Sequence, residues 1–219
     1  MEITWYGHSC FRLTERSYAT VVTDPYDNKA VGYDALKLKA DITTISHDAP
    51  GHSNADSVKG TSHVIDGAGE FEIGGVFITG VATDGGAGGK KKGKDASSRN
   101  TVYVFDYDGI TVAHLGDLKQ VPTQSEIESL GTINVALVPV GGGNGLNAAK
   151  AAEVISLIEP NIVIPMHYET PDSKISLESL NKFIKEMGLS KPEAQPSLKV
   201  TRSSLPSETH VVVLEYQKS

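Results

Sequence analysis

The sequence has little of several features that define whole classes of protein. It contains a single cysteine, Cys10, so no disulfide can form within the chain, and we expect a reducing, cytoplasmic location. A lone cysteine usually packs in the core as a small apolar residue. No run approaches the roughly 20 apolar residues that cross a bilayer, and residues 1–5 lack the basic and apolar parts of a signal peptide. These absences argue against a secreted or membrane protein.

Positive charge is also scarce. The chain has 20 lysines and arginines against 27 acidic residues, a net charge of -7 that argues against general nucleic-acid binding. The one basic stretch lies in the glycine-rich residues 84–99, which form either a loop that contacts phosphate groups or, the reading we favour, a solvated loop. With 39% hydrophobic residues, no repeat and no linker, the sequence predicts one globular domain over residues 1–219.

The two halves of the chain differ in their hydrophobic patterns. The first half alternates in short strands, with hairpin turns at Gly74-Gly75 and Asp108-Gly109. We also predict a helical turn over residues 34–40 and a short helix over 54–59. The second half alternates buried strands with helices over residues 148–158 and 177–187, and a last strand spans 211–216. This order predicts an α/β fold, with two sheets packed face to face and helices outside.

The most informative segment is the loop that follows the predicted strand ending near Ile45. It carries His47 and His52, and loops at strand ends commonly hold functional groups because the sheet positions them rigidly. Further motifs are Trp5-x-Gly7-His8-Ser9 with a later Asp24-Pro25, His114-Leu115-Gly116-Asp117, and Pro165-Met166-His167-Tyr168. We expect His8 either near the mouth of the site or bonded to backbone, with equal weight. A structural role is the better interpretation for His63.

Together, in this order, these motifs resemble the metallo-β-lactamase superfamily, in the branch of metal-dependent hydrolases related to L-ascorbate-6-phosphate lactonase. The resemblance implies an αββα sandwich with one or two metal ions where strand ends converge. It makes His47 a ligand of the first metal, His52 and His167 ligands of the second, and Asp117 a bridge between them. The family loop reads H-x-H-x-D-H, and this chain has Ala49 and Gly51 in two of those positions. The family histidine expected after Val81 is also missing, and Asp84 is the nearest candidate.

The resemblance implies a hydrolase that cleaves an ester, lactone or phosphoester of a small, anionic substrate. Its cofactor would be zinc or manganese, at most one ion well coordinated, by His52, His167 and Asp117. His47 or Asp48 would serve as the general base. The replaced ligands leave open a metal-free, catalytically inactive protein that binds a ligand or partner in the vestigial cleft. A weaker hypothesis is an oligomeric structural protein, and a homo-oligomer is compatible with all three.

Overall fold

The computed structural model describes residues 1–83, 99–190 and 192–218. Its helices are α1 (Asn28–Val31), α2 (Gln124–Leu130), α3 (Ala148–Ile158) and α4 (Leu180–Glu186), with single 3-10 turns at Ala55–Ser57 and Arg202–Ser204. Its strands are β1 (Glu2–Trp5), β2 (Phe11–Thr14), β3 (Val21–Thr23), β4 (Leu38–Lys39), β5 (Ile42–Thr44), β6 (Val58–Lys59), β7 (His63–Ile65), β8 (Gly69–Ile73), β9 (Val76–Thr83), β10 (Asn100–Asp106), β11 (Thr111–His114), β12 (Val135–Pro139), β13 (Ile162–Met166), β14 (Ala194–Gln195), β15 (Leu198–Lys199), β16 (His210–Val211) and β17 (Val213–Leu214). Within these ranges, no helix is long and apolar enough to cross a membrane.

Two mixed sheets carry the fold. One has six strands in the order β15-β1-β2-β3-β5-β7, and the other has seven in the order β16-β13-β12-β11-β10-β9-β8. Apolar side chains from both sheets join one buried cluster, in which Trp5 and Phe11 of the first sheet share the interior with Tyr103 and Phe105 of the second. Helix α3 adds Val154 to this cluster. This is the predicted arrangement of face-to-face sheets with helices packed on them.

Parallel strand pairs determine where the polar loops meet. In the first sheet β3 pairs parallel with β5, and in the second β11, β12 and β13 are parallel neighbours. The chain leaves β3 at Asp24, leaves β5 towards His47, leaves β11 towards Asp117 and leaves β13 at His167. Because the carboxyl ends of parallel strands lie at one edge of a sheet, these loops gather at a common edge, which is the usual position of a binding site in such sheets.

The sequence-based elements are confirmed where local signals are strong. Both predicted hairpins form, and Asp108 and Gly109 have the positive φ angles, 52° and 80°, that such a tight turn requires. Helix α3 has the predicted bounds, with Asn147 accepting from the main-chain N–H of Lys150 at its start. Cys10 is fully buried, and burial raises the pKa of its thiol well above the ordinary value, as expected for a core residue.

Two predicted helices in the first half are wrong. Residues 36–40 alternate strictly between buried and exposed side chains, which is the period of a strand, and Leu38–Lys39 pairs with β6. The helical turn in this region is instead α1, which the Asp27 side chain caps. Of the helix predicted over residues 54–59, only the 3-10 turn Ala55–Ser57 forms. The side chain of Asn54 does not cap it and donates instead to the carbonyl of Tyr26.

Two boundaries in the second half are also wrong. Helix α4 begins at Leu180 rather than at residue 177, because the backbone of Glu178 is bonded to Gly141 and Glu169 and is not free to enter a helix. The last predicted strand is divided: Val211 pairs in β16 with β13, whereas Val213–Leu214 pairs with β14 in a separate two-stranded sheet. Nothing in the local sequence indicates that the chain changes its pairing partner from β13 at Val211 to β14 at Val213.

Candidate metal centre

Four histidines and one aspartate meet at the edge where the strand ends gather. His8 Nε2 lies 3.2 Å from His52 Nε2, and the His47 and His52 rings are 4.2 Å apart between centroids. Asp117 lies opposite, with Oδ2 at 4.0 Å from His47 Nε2 and Oδ1 at 3.9 Å from His167 Nε2. These groups line a cavity of about 320 Å³, whose remaining walls are Ala49, Gly51, Gly143, Asn144, Ile175, Ser176 and Leu177.

Three of the site residues have unusual backbone geometry. His8, Asp24 and His167 have positive φ angles of 50°, 39° and 54°, in the left-handed region that non-glycine residues rarely adopt. Each such residue costs on the order of 1–3 kcal/mol, and strain of this kind clusters at functional sites. The abrupt change of direction after β3 and β13 turns Asp24 and His167 into the space at the strand ends rather than along the sheet.

Asp24 organises the two histidines of the first loop. This buried carboxylate accepts hydrogen bonds from the backbone N–H of Ser46 at 2.7 Å, the hydroxyl of Ser46 at 2.6 Å and Nδ1 of His52 at 2.8 Å. The Ser46 hydroxyl therefore donates to Asp24, so it can only accept from Nδ1 of His47, 3.0 Å away. Both histidines are thus protonated on Nδ1, which leaves the lone pair of each Nε2 directed elsewhere. A carboxylate behind a histidine is the usual outer partner in a metal site.

The polypeptide approaches Asp117 closely on two sides. Its backbone N–H donates to the side chain of Asn100 at 2.9 Å, which fixes the turn after β11. A Cβ atom added to Gly145 would lie 2.5 Å from Asp117 Oδ1, so a side chain at this position would have to displace the carboxylate. Asp117 Oδ1 itself has no hydrogen-bond partner among the described residues, and neither do Nδ1 of His8 and Nδ1 of His167. Buried polar groups without partners are costly.

Burial governs the charge of the cluster. Desolvation, reinforced by the neighbouring His52, lowers the pKa of His47 to about 4 and that of His167 to about 3. The pKa of His8 is also lowered, first by burial and then by the other histidines, whereas burial raises the pKa of Asp117. The imidazoles of His8, His47 and His167 are therefore neutral at pH 7, the form in which a histidine nitrogen binds a metal.

The donor set fits a divalent metal ion. One histidine nitrogen each from His8, His52 and His167 lie within 4.8 Å of one another. Zinc–nitrogen bonds of about 2.0–2.1 Å place the ligands of a tetrahedral site roughly 3.3 Å apart, close to the observed separation of His8 and His52. A second group, Asp24 with His47 and His52, also has suitable spacing. Its contacts are already explained by the hydrogen bonds to Asp24, so we assign Asp24 to the outer layer of the site.

The structure brings together four of the residues that the sequence singled out, namely His47, His52, Asp117 and His167, and their roles as metal ligands remain a prediction. Asp48 is exposed, accepts from the hydroxyl of Ser53 at 3.1 Å and lines an adjoining cavity with His47. Asp84 and most of the basic 84–99 segment lie outside the described residues.

Two neighbours of these groups carry roles that sequence reasoning assigned weakly or not at all. His8 is inside the cluster rather than at its mouth, and Asp24 was noted only as part of the motif Asp24-Pro25, with no role assigned to it. The signal for Asp24 was available: it follows β3 as His47 follows β5, and these strands are parallel neighbours.

Comparison with known proteins agrees with this geometry. Residues 2–167 match the family model of the Beta-lactamase superfamily domain, which covers well over half of the chain. The chain therefore belongs to the metallo-β-lactamase superfamily. The predictions of the family and of the αββα sandwich are confirmed.

Several relatives define the group more closely. A crystal structure from Thermotoga maritima, described as a zinc-dependent hydrolase of this superfamily, is 36% identical, with a TM-score of 0.78 and coverage of 99% of both chains. A UPF0173 metal-dependent hydrolase of Thermoplasma acidophilum is 26% identical over 198 residues, 78% of this chain and 85% of that protein. A UPF0173 protein of Pyrococcus furiosus is 27% identical over 196 residues, 78% of this chain and 84% of its own length. The chain thus falls among proteins designated metal-dependent hydrolases.

Proposed function

We propose that this protein hydrolyses an ester, lactone or phosphoester bond of a small anionic molecule, with one divalent metal ion as cofactor. The observation that carries the proposal is the convergence of His52, His167 and Asp117 beside a cavity, with the His52 lone pair directed by Asp24. A bound divalent ion polarises the carbonyl or phosphoryl oxygen of a substrate and makes hydroxide available near neutral pH. Proton transfer and substrate binding are carried out by side chains around the cavity.

His47 is the better placed of the two candidate bases. It lines the same cavity as Asp117, its Nδ1 hydrogen bond to Ser46 leaves Nε2 as an acceptor, and Nε2 lies 4.0 Å from Asp117 Oδ2. A water molecule between these two atoms would give up its proton to Nε2, while Asp117 keeps the water oriented. Asp48 is exposed and does not line this cavity, so it is the second choice.

The cavity favours a small substrate that carries negative charge. Its volume of about 320 Å³ is at the lower end of the range for small-molecule sites. Ile175 and Leu177 offer apolar contact, and Asn144 offers hydrogen bonds. Lys119 lies two residues after Asp117. Burial is the first cause of the pKa shifts of both His47 and Asp117, and the positive charge of Lys119 adds a smaller effect that favours neutral His47 and ionised Asp117. A cation this close to the site would attract an anionic group in spite of the acidic chain as a whole.

Metal analysis combined with hydrolysis assays tests the proposal. Protein purified without chelator, stripped and then reloaded with zinc or manganese, should cleave an aryl phosphate, an aryl ester or a lactone from a small panel. His167→Asn should abolish the metal-dependent activity, because Asn tolerates the left-handed backbone but removes the imidazole. His63→Asn is the control, since His63 is exposed on β7. If the wild-type protein neither retains metal nor is activated by it, hydrolysis is refuted in favour of ligand binding without catalysis.

A further inference from the structure

The space beside Gly51 is filled by a residue from another part of the chain. A Cβ atom built on Gly51 would lie 2.8 Å from Nε2 and 3.1 Å from Cδ2 of His8. The imidazole of His8 therefore occupies the volume into which any side chain at position 51 would project. Gly51 itself does not have a positive φ angle, so its backbone does not require glycine. The contact with His8 is what excludes a side chain there.

We infer that His8 is a metal ligand and completes a three-histidine site with His52 and His167. The inference rests on the proposed metal-dependent function and specifies its inner ligands. The family loop has an aspartate where this chain has Gly51, and a histidine from the β1–β2 turn supplies a nitrogen in the space that this aspartate would take. His8, which lies 43 positions before Gly51 in the chain, thereby takes the place of the missing loop aspartate as a ligand.

The spacing of the three rings supports this assignment. His8 Nε2 is 3.2 Å from His52 Nε2, and the ring centroid of His8 is 4.3 Å from that of His167 and 4.8 Å from that of His52. All three side chains are buried. The nitrogens of His8 and His52 are thus at the separation expected for ligands that share an ion, and a nitrogen of His167 lies within 4.8 Å of both.

The backbone holds His8 and His167 in a fixed relation. The carbonyl of His8 accepts from the backbone N–H of His167 and from Nε1 of Trp5, both at 3.1 Å. Trp5 is buried in the core, so its hydrogen bond anchors the turn that carries His8. The second hydrogen bond joins this turn to the backbone of His167. This rigidity gives the preorganisation that a metal site needs.

The ligand class follows from the donors. Three neutral imidazoles favour zinc, cobalt or iron, whereas manganese prefers carboxylates and water. The competing interpretation is a structural hydrogen bond, in which Nε2 of His8 donates a proton to the His52 lone pair. That bond would occupy the lone pair of His52 and leave His8 without a role in metal binding. The two interpretations predict opposite effects of removing the His8 imidazole.

Metal titration of the intact protein separates them. We expect His8→Asn, which suits the left-handed backbone, to weaken zinc binding by about 100-fold or more in calorimetry. It should also change the visible absorption spectrum of the cobalt-loaded protein, which reports ligand number and type. His63→Asn is the matched control, because His63 is exposed on a strand away from the cluster. Thermal unfolding of each variant establishes that it is folded.

A compensating variant makes the test independent of folding defects. Replacing Gly51→Asp in the His8→Asn background puts a carboxylate into the vacated space, and we expect it to recover at least about tenfold of the lost affinity. Equal zinc affinity and an unchanged cobalt spectrum in His8→Asn would overturn the inference and leave the proposed function intact. Absence of metal binding by the wild-type protein would overturn both.

Discussion

Asp24→Asn is the substitution that examines the organisation of the metal centre most directly. Asparagine has almost the same shape as aspartate and tolerates the φ angle of 39° at this position. It can still accept from the backbone N–H of Ser46, but its amide group would face the hydroxyl of Ser46 and Nδ1 of His52. The amide N–H donors of the new asparagine would then face two other buried donors, the Ser46 hydroxyl and the Nδ1–H of His52, and none of them would have an acceptor there. The substitution therefore removes one charge and the single oxygen that accepts two of the three hydrogen bonds, with little change of volume.

The size of the effect follows from these contacts. A buried donor without a partner costs about 1–3 kcal/mol, so the two donors together amount to about 2–6 kcal/mol of lost stability. His52 can relieve part of this cost by moving its proton from Nδ1 to Nε2. That shift removes the lone pair that would bind the metal, so metal affinity should fall by about 10–100-fold, the usual effect of losing an outer carboxylate. Stability and affinity are thus expected to fall together.

Urea unfolding and zinc calorimetry on the same samples provide the measurement. Asp41→Asn is the matched control, because Asp41 is an exposed carboxylate at the opposite end of β5, accepting from the backbone N–H of Thr20 at 2.8 Å. It has the same change of charge and also loses an acceptor, and its zinc affinity should not change. Wild-type zinc affinity in Asp24→Asn would refute the tautomer assignment for His52, whatever the effect on stability.

Two further predictions concern charge and packing. The folded pKa of His167, about 3, is below its unfolded value of about 6.5, so the unfolded chain binds the proton first and stability falls as pH decreases. For the metal-free protein, this residue alone should lower the free energy of unfolding by about 2 kcal/mol between pH 7 and pH 5, and a His167→Asn variant showing the same pH dependence as wild type would contradict this. Gly145→Ala should displace Asp117 and lower zinc affinity by about tenfold or more. Gly67→Ala, whose added methyl group meets no described atom within 4 Å, should bind zinc normally, and equal affinity of both variants would show that Asp117 is not a ligand.

Local signals account for the parts of the fold that the sequence predicts. The Asp108-Gly109 turn and helix α3 depend on residues close to one another in the chain, so their patterns suffice. Residues 36–40 were assigned to a helix although their alternation is that of a strand, because the segment is short and its partner β6 lies about 20 residues away. Helix α4 ends at Glu186, one residue before the predicted end at Met187, but its start was not predicted, since that depends on the backbone bonds of Glu178 to Gly141 and Glu169.

The residues of the candidate site also fall into two groups: those that local motifs identify and those whose positions depend on distant parts of the chain. The motifs identified His47, His52, Asp117 and His167, because each follows a recognisable strand. They did not give the direction of a loop side chain, which is why Asp48 was grouped with His47 although it is exposed. The positions of the other partners depend on backbone angles and on contacts between distant segments. No sequence pattern specifies that a turn residue of the first hairpin fills the space beside a glycine in the metal loop.

The costs concentrated at this edge of the sheet argue for a ligand. His8, Asp24 and His167 each have strained backbone, and three buried polar atoms of the site itself, on His8, Asp117 and His167, lack partners among the described residues. The imidazoles of His8 and His167 also remain uncharged, which makes the metal-free fold sensitive to acid. A ligand that binds only the folded state offsets such costs by RT ln(1 + [L]/Kd), about 4.1 kcal/mol at a thousandfold excess over Kd. Zinc should therefore raise the unfolding temperature of the wild-type protein, and it should do so less in every variant that removes a ligand.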